Sequence, residues 1–109
     1  MSAYSIIFRQ RALKEYAEST AWYEQRSSQA SRNFVAAVEN VLLSLTAFPY
    51  SFSNKYKIFY EVKTEKFPFT IVYFIKDKKQ TIVITTLFHH KRIRQISIDE
   101  ALAKKYNVA

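Results

Sequence analysis

The sequence predicts an α+β domain in which a helical hairpin packs on an antiparallel sheet, in the order β-α-α-β-β-β-α. Three observations carry this. Apolar residues recur with a period near 3.6 through the first half of the chain, and the period switches to 2 in the second half. The 109 residues, 49% apolar and 17% aromatic, suffice for one core but leave too little for a second.

Tyr4 to Phe8 is short, β-branched and aromatic, as a first strand entering a core would be. From Gln10 to about Arg26, a helical step of about 100° per residue puts Leu13, Tyr16, Ala17, Thr20 and Tyr23 on one side. Glu15, Glu18 and Trp22 fall opposite, which leaves Trp22 on the polar face. Ser27-Ser28 interrupts the pattern and can cap a second helix, whose apolar stripe is Phe34, Ala37, Val38, Val41, Leu42 and Leu45. Phe48-Pro49 ends it, because the residue before a proline is driven out of the helical region.

After a Ser/Asn-containing turn at 51–54, Tyr56, Ile58, Tyr60 and Val62 alternate with Lys57, Phe59, Glu61 and Lys63, the pattern of one half-buried strand. Phe67 to Ile75 is apolar on both faces, as a central covered strand would be. The Lys76-Asp77-Lys78-Lys79 turn leads to a third strand of this meander, Thr81 to Phe88. Ser97 and Glu100 form a capping box for a short terminal helix reaching about Tyr106.

Composition excludes whole classes of function. The chain has no glycine, so it can hold no P-loop, dinucleotide-binding turn or nucleophile elbow. Without cysteine it has no disulfide, thiolate zinc site or cysteine nucleophile, and a reducing cytoplasm is the expected home. Its two histidines, the adjacent His89 and His90, lack metal-ligand spacing, so neither a metal nor another cofactor is expected. No signal-peptide pattern and no apolar run near the ~20 residues of a membrane span is present, which predicts a soluble protein.

The net charge of +8 is uneven: residues 55–109 carry twelve Lys/Arg against five Asp/Glu, residues 1–54 five against four. Such a field attracts polyanions and acidic proteins. Lys55, Lys57, Lys63 and Lys66 lie on or beside one strand, and Lys91, Arg92 and Arg94 follow another. If those strands neighbour each other, the charges merge into a patch able to neutralise phosphates; solvated strand faces and lysine protection of a sheet edge are the bland alternative. Tyr56, Tyr60 and Tyr73 could stack on bases, though alternating tyrosines more commonly serve a core. Trp22, an aromatic among glutamates, is a candidate partner anchor.

Several local motifs in this order resemble the RelE/ParE superfamily, the toxins of bacterial type II toxin-antitoxin systems. The resemblance spans roughly residues 4–94 of a single 1–109 domain and leaves the tail 95–109 outside. It rests on Ala12-Leu13 opening the first helix, Trp22-Tyr23-Glu24 near its end, Phe34 to Leu45 in the second helix and Phe48-Pro49 as its stop. Phe67-Pro68-Phe69 with Tyr73, and Phe88-His89 with Lys91-Arg92, complete it. The Trp-Tyr-Glu and Phe-Pro-Phe motifs bring the chain closer to the ParE and plasmid-stabilisation branch. Two departures stand out: the family often places arginine where Tyr60 stands, and often ends its His-x-x-Arg run in proline where this chain continues Ile93-Arg94-Gln95.

The resemblance implies a cytoplasmic toxin that inhibits DNA gyrase without bond chemistry of its own, countered by an acidic, partly disordered cognate antitoxin. Trp22 would then serve antitoxin binding, and Lys57, Lys63, Lys66, Lys91 and Arg94 target or nucleic-acid binding. The RelE branch implies instead a ribosome-dependent, metal-independent mRNA endonuclease. That chemistry needs a group titrating near neutrality and fixed cations, roles open to His89 and Arg92. If strand alternation persists through residue 90, His89 and His90 point to opposite faces and only one can serve a site. A basic nucleic-acid-binding module without toxicity is the third reading.

Overall fold

The computed structural model describes residues 3–90, arranged as β1 (Ser5–Phe8), α1 (Gln10–Glu24), α2 (Ser28–Ala47), β2 (Ser53–Tyr56), β3 (Phe59–Lys63), β4 (Phe69–Lys76) and β5 (Thr81–His89). A single turn of 3-10 helix, Asp77–Lys79, links β4 to β5. The five strands form one sheet in the order β1-β5-β4-β3-β2. All neighbours are antiparallel except β1 and β5, which run parallel with Ser5 opposite Thr81 and Phe8 opposite Ile84. The fold is therefore α+β with a mixed sheet, and the expected terminal helix with its Ser97 and Glu100 lies outside the described residues.

The serine pair acts as its position predicts: Ser27 Oγ accepts the Ala30 N–H at 2.9 Å and caps α2. Both helices pack on one face of the sheet. Ala12, Phe34, Val38, Val41 and Leu45 meet Val62, Phe69, Ile71, Tyr73, Ile82, Ile84 and Leu87 there. On the opposite face Phe59, Val72, Phe74, Val83 and Phe88 form a second buried cluster. The central strand β4 feeds both, which is why Phe69 to Phe74 is buried without alternation.

The structure corrects two sequence expectations. The single strand expected over Tyr56 to Lys63 is a hairpin, turning at Lys57 with φ 51°. No glycine or proline marks that turn; Asn54 closes it instead, its side-chain amide donating to the carbonyls of Lys57 and Phe59 at 3.0 and 3.1 Å. Helix α1 turns its expected stripe only in part to the core: Tyr16 and Tyr23 pack there, but the buried face is centred one position over. Ala12, Glu15 and Ser19 are its buried residues, while Leu13 is 54% exposed and Ala17 faces outward.

The rotation has a polar cause. Strand β1 ends opposite Ile84, so the β5 edge beyond it lacks a strand partner. Glu15 fills that role: Oε1 accepts from Thr86 Oγ1 at 2.6 Å and from the Leu87 N–H at 2.9 Å, and Oε2 meets Arg11 Nε at 3.2 Å. A buried backbone donor must find an acceptor, and a helical period carries no information about that demand.

Candidate functional site

At one end of the sheet the close of α1, the start of α2, the β3–β4 loop and the end of β5 meet in an aromatic cluster. Tyr23 is its hub, with ring centroids 4.9 Å from Phe34, 5.2 Å from Phe67 and 5.0 Å from Trp22. Phe34 lies 5.0 Å from Phe69, and Phe69 meets the His89 imidazole edge-on at 5.1 Å. Motifs that begin at Trp22 and finish at His89 thus converge on one end of the molecule. Burial raises the Tyr23 phenol above its ordinary pKa.

Trp22 forms the exposed rim of this cluster. It is 49% exposed, edge-on to Tyr23, with the Arg26 guanidinium stacked 3.6 Å from its ring centroid. Beneath it, Glu24 accepts from Ser31 Oγ at 2.5 Å and Ser28 Oγ at 2.9 Å, tying the interhelical turn. Those hydrogen bonds, the Ser31 one foremost, hold the Glu24 carboxyl below its ordinary pKa. Trp22 is therefore presented to solvent from a fixed base.

The two histidines do part company. His89, paired with Phe69, shares the helix side of the sheet, whereas His90 Nε2 lies 2.9 Å from Thr70 Oγ1. Thr70 is opposite both Phe88 and Lys63 in the ladder, so this row belongs to the face away from the helices. The main chain of His90 is anchored as well, its N–H donating to Pro68 O at 2.8 Å.

Among the described residues, Lys57 and Lys63 stand apart. Strand β4 lies between β3 and β5; Lys57 sits in the turn before β3 and Lys63 at the far end of that strand. Lys57 Nζ lies 5.4 Å from the Tyr56 ring. Lys63, Glu65 and Lys66 instead rim a groove of about 640 Å³ between α2 and the β3–β4 connection, walled by Asn33, Ala37 and Asn40 and bounded by Phe67. Lys66 holds a left-handed backbone there, φ 68°. Lys91, Arg92 and Arg94 lie outside the described residues.

The tyrosines belong mostly to the core. Tyr73 is fully buried, donates to Pro49 O at 2.7 Å and stacks on Tyr60 at 5.4 Å, so Tyr60, at a position where the family often has arginine, packs on the helix side of the sheet. Burial raises the Tyr73 phenol well above its ordinary pKa. Sequence reasoning missed Glu15, Arg26, Thr70 and the Asp77 cluster described below; the visible signal was a lone threonine inside an apolar strand, Phe69-Thr70-Ile71. Among the described residues no three His, Cys, Asp or Glu side chains gather as metal ligands, and no helix is long and apolar enough to cross a membrane.

Comparison with known proteins bears on this geometry. The family described as ParE toxin of type II toxin-antitoxin system, parDE, matches residues 6–94. The fold is similar to that of a mutant of the E. coli toxin RelE in the free state, at TM-score 0.63 and 18% identity over 97% of this chain and 99% of that one. It is also similar to a chain of the chromosomal ParDE system from P. aeruginosa, at TM-score 0.56 and 12% identity over 80% and 96%. The toxin-antitoxin complex RelBE2 from Mycobacterium tuberculosis matches at 0.55 and 18% over 80% and 98%. No curated protein is significantly similar.

Proposed function

Because the chain belongs to the ParE family of type II toxin-antitoxin toxins, we propose that it arrests growth in the cytoplasm by inhibiting DNA gyrase through protein contacts, without bond chemistry of its own. The observation that supports this reading over mRNA cleavage is the match of the ParE toxin family to residues 6–94. Metal-independent cleavage needs an imidazole and fixed cations converging on one phosphate. In this chain the imidazole would be that of His89, whose ring packs edge-on against Phe69.

The partner that neutralises the toxin is a cognate antitoxin with an acidic, partly disordered segment, which orders against the exposed Trp22 and the lysines at the rim of the groove. Purified protein is expected to block gyrase supercoiling at stoichiometric amounts; full supercoiling in large excess of toxin defeats the proposal. Codon-positioned cuts in a translating extract, lost in His89→Ala or Arg92→Ala, would transfer the chain to the ribosome-dependent nuclease reading. Harmless expression together with nucleic-acid binding would point to the basic-module reading.

A further inference from the structure

The end of the molecule opposite Trp22 carries the most exposed large apolar side chains. Leu43 is 71% exposed, Phe48 66% and Tyr50 54%. Leu43 and Ala47 lie one helical turn apart on the outward side of α2, and Phe48 and Tyr50 continue the crest where the helix ends. Leu43 and Phe48 follow Phe34 of the aromatic cluster by nine and fourteen residues, about 14 and 21 Å along the helix axis.

Tyr50 is held rigidly, and the turn that holds it carries Lys78 and Lys79. Asp77 Oδ1 accepts from both Tyr4 and Tyr50 hydroxyls at 2.8 Å, and the Tyr50 ring meets Tyr60 edge-on at 6.0 Å. Tyr4 N–H also donates to Thr46 O at 3.1 Å, fastening β1 to the end of α2. Asp77 is thus committed to tyrosines, and the side chains of its neighbours Lys76, Lys78 and Lys79 have no ion-pair partner among the described residues. An aromatic fixed before binding loses little entropy on complex formation, the property of an interface anchor.

We propose that the crest of Leu43, Phe48 and Tyr50, with the lysine turn at 76–79, is a docking surface for an acidic protein partner, separate from the Trp22 end. Charge complementarity selects the partner: Lys78 and Lys79, without an ion-pair partner among the described residues, suit glutamates and aspartates surrounding an apolar socket. A nucleic-acid backbone would satisfy the lysines but offers nothing to bury Leu43. A membrane surface would have to desolvate the Asp77 carboxylate within the crest. Assigning this partner as the toxin's target rests on the function proposed above; the surface itself does not. Placed away from Trp22, it can engage a target while leaving the antitoxin's anchor uncovered.

Two measurements test the surface and its assignment separately. In the first, isotope-labelled full-length protein is titrated with a synthetic helical peptide bearing leucine and phenylalanine on one face and glutamate elsewhere. Amide shifts are expected at 43–50 and 76–79. They should be abolished by Leu43→Ser/Phe48→Ser, and Lys78→Glu/Lys79→Glu should weaken binding about tenfold or more with a flattened salt dependence. All four positions are exposed, and the dispersion of the spectrum checks that each variant folds. Shifts centred elsewhere, none at all, or shifts at these residues only with an oligonucleotide or anionic vesicles overturn the proposal. In the second, Leu43→Ser/Phe48→Ser should lose gyrase inhibition while Leu13→Ser, exposed on α1, retains it. A wild-type protein that fails to inhibit gyrase removes the target assignment, and the peptide titration then judges the surface alone.

Discussion

Glu15 and Leu87, 72 residues apart in sequence, are joined by a 2.9 Å hydrogen bond in which the Leu87 main-chain N–H donates to the Glu15 carboxylate. The bond places a helix side chain where a sheet would otherwise need another strand. It sets the rotation of α1, and through β5 it braces the strand that ends at His89.

Glu15→Ala should therefore cost far more than removal of one exposed glutamate. It leaves the Leu87 N–H and the Thr86 hydroxyl without their acceptor, each at about 1–3 kcal/mol for a buried polar group, offset in part by water entry. Urea denaturation should show a loss of about 2 kcal/mol at unchanged slope, with Glu15→Gln intermediate. A loss under about 0.5 kcal/mol would mean that the bond contributes nothing net.

A chain without glycine fills its left-handed turns with side chains that resist them. Gln80 (φ 47°) and Lys57 (φ 51°) each bear the steric cost of about 1–2 kcal/mol that glycine escapes. Replacing Gln80 or Lys57 by Gly should stabilise by about 0.5–1 kcal/mol after the added unfolded-state entropy, which raises Tm by a few degrees. Lower Tm in both variants would contradict the strain argument.

The Asp77 clamp should be visible in both limbs of a pH titration. Hydrogen bonds from Tyr4 and then Tyr50 hold the Asp77 carboxyl below its ordinary 3.8, so its contribution is present above that value and is lost as pH falls further. The same carboxylate pushes the Tyr50 phenol up to about 12. That contribution is complete below the ordinary tyrosine value of 10.0 and disappears as pH rises towards 12. In Asp77→Asn the late-titrating tyrosine absorbance should move back towards 10.0; an unmoved curve would assign the shift to another cause.

Trp22→Ala should separate binding from stability. The indole is half-exposed and touches Tyr23 and Arg26, so the unfolding free energy should change by less than about 1 kcal/mol. Stopped-flow binding to the cognate antitoxin should show a faster off-rate at nearly constant on-rate, whereas Lys63→Gln/Lys66→Gln should slow association and flatten its salt dependence. An unchanged off-rate would remove Trp22 as an anchor.

Much of this was legible in the order of residues. Periodicity located α1, α2, β4 and β5 because amphipathic helices and covered strands are defined by spacing that neighbours alone dictate. Ser27 and Pro49 announced their boundaries through main-chain chemistry that acts within a few residues. The motifs at Trp22-Tyr23, Phe67-Pro68-Phe69 and Phe88-His89 carry the family resemblance in the sequence itself.

What only the tertiary structure decided involved polar groups whose partners lie far along the chain. The inward turn of Glu15 depends on an unpaired Leu87 N–H, the hairpin at Lys57 on the amide of Asn54, and the pose of Tyr50 on Asp77. Assignment of His89 and His90 to opposite faces required the ladder to hold to its last residue. Hydrophobic spacing is a local code, since any apolar neighbour will serve; a hydrogen bond needs one particular partner in one orientation, and the completed fold supplies it.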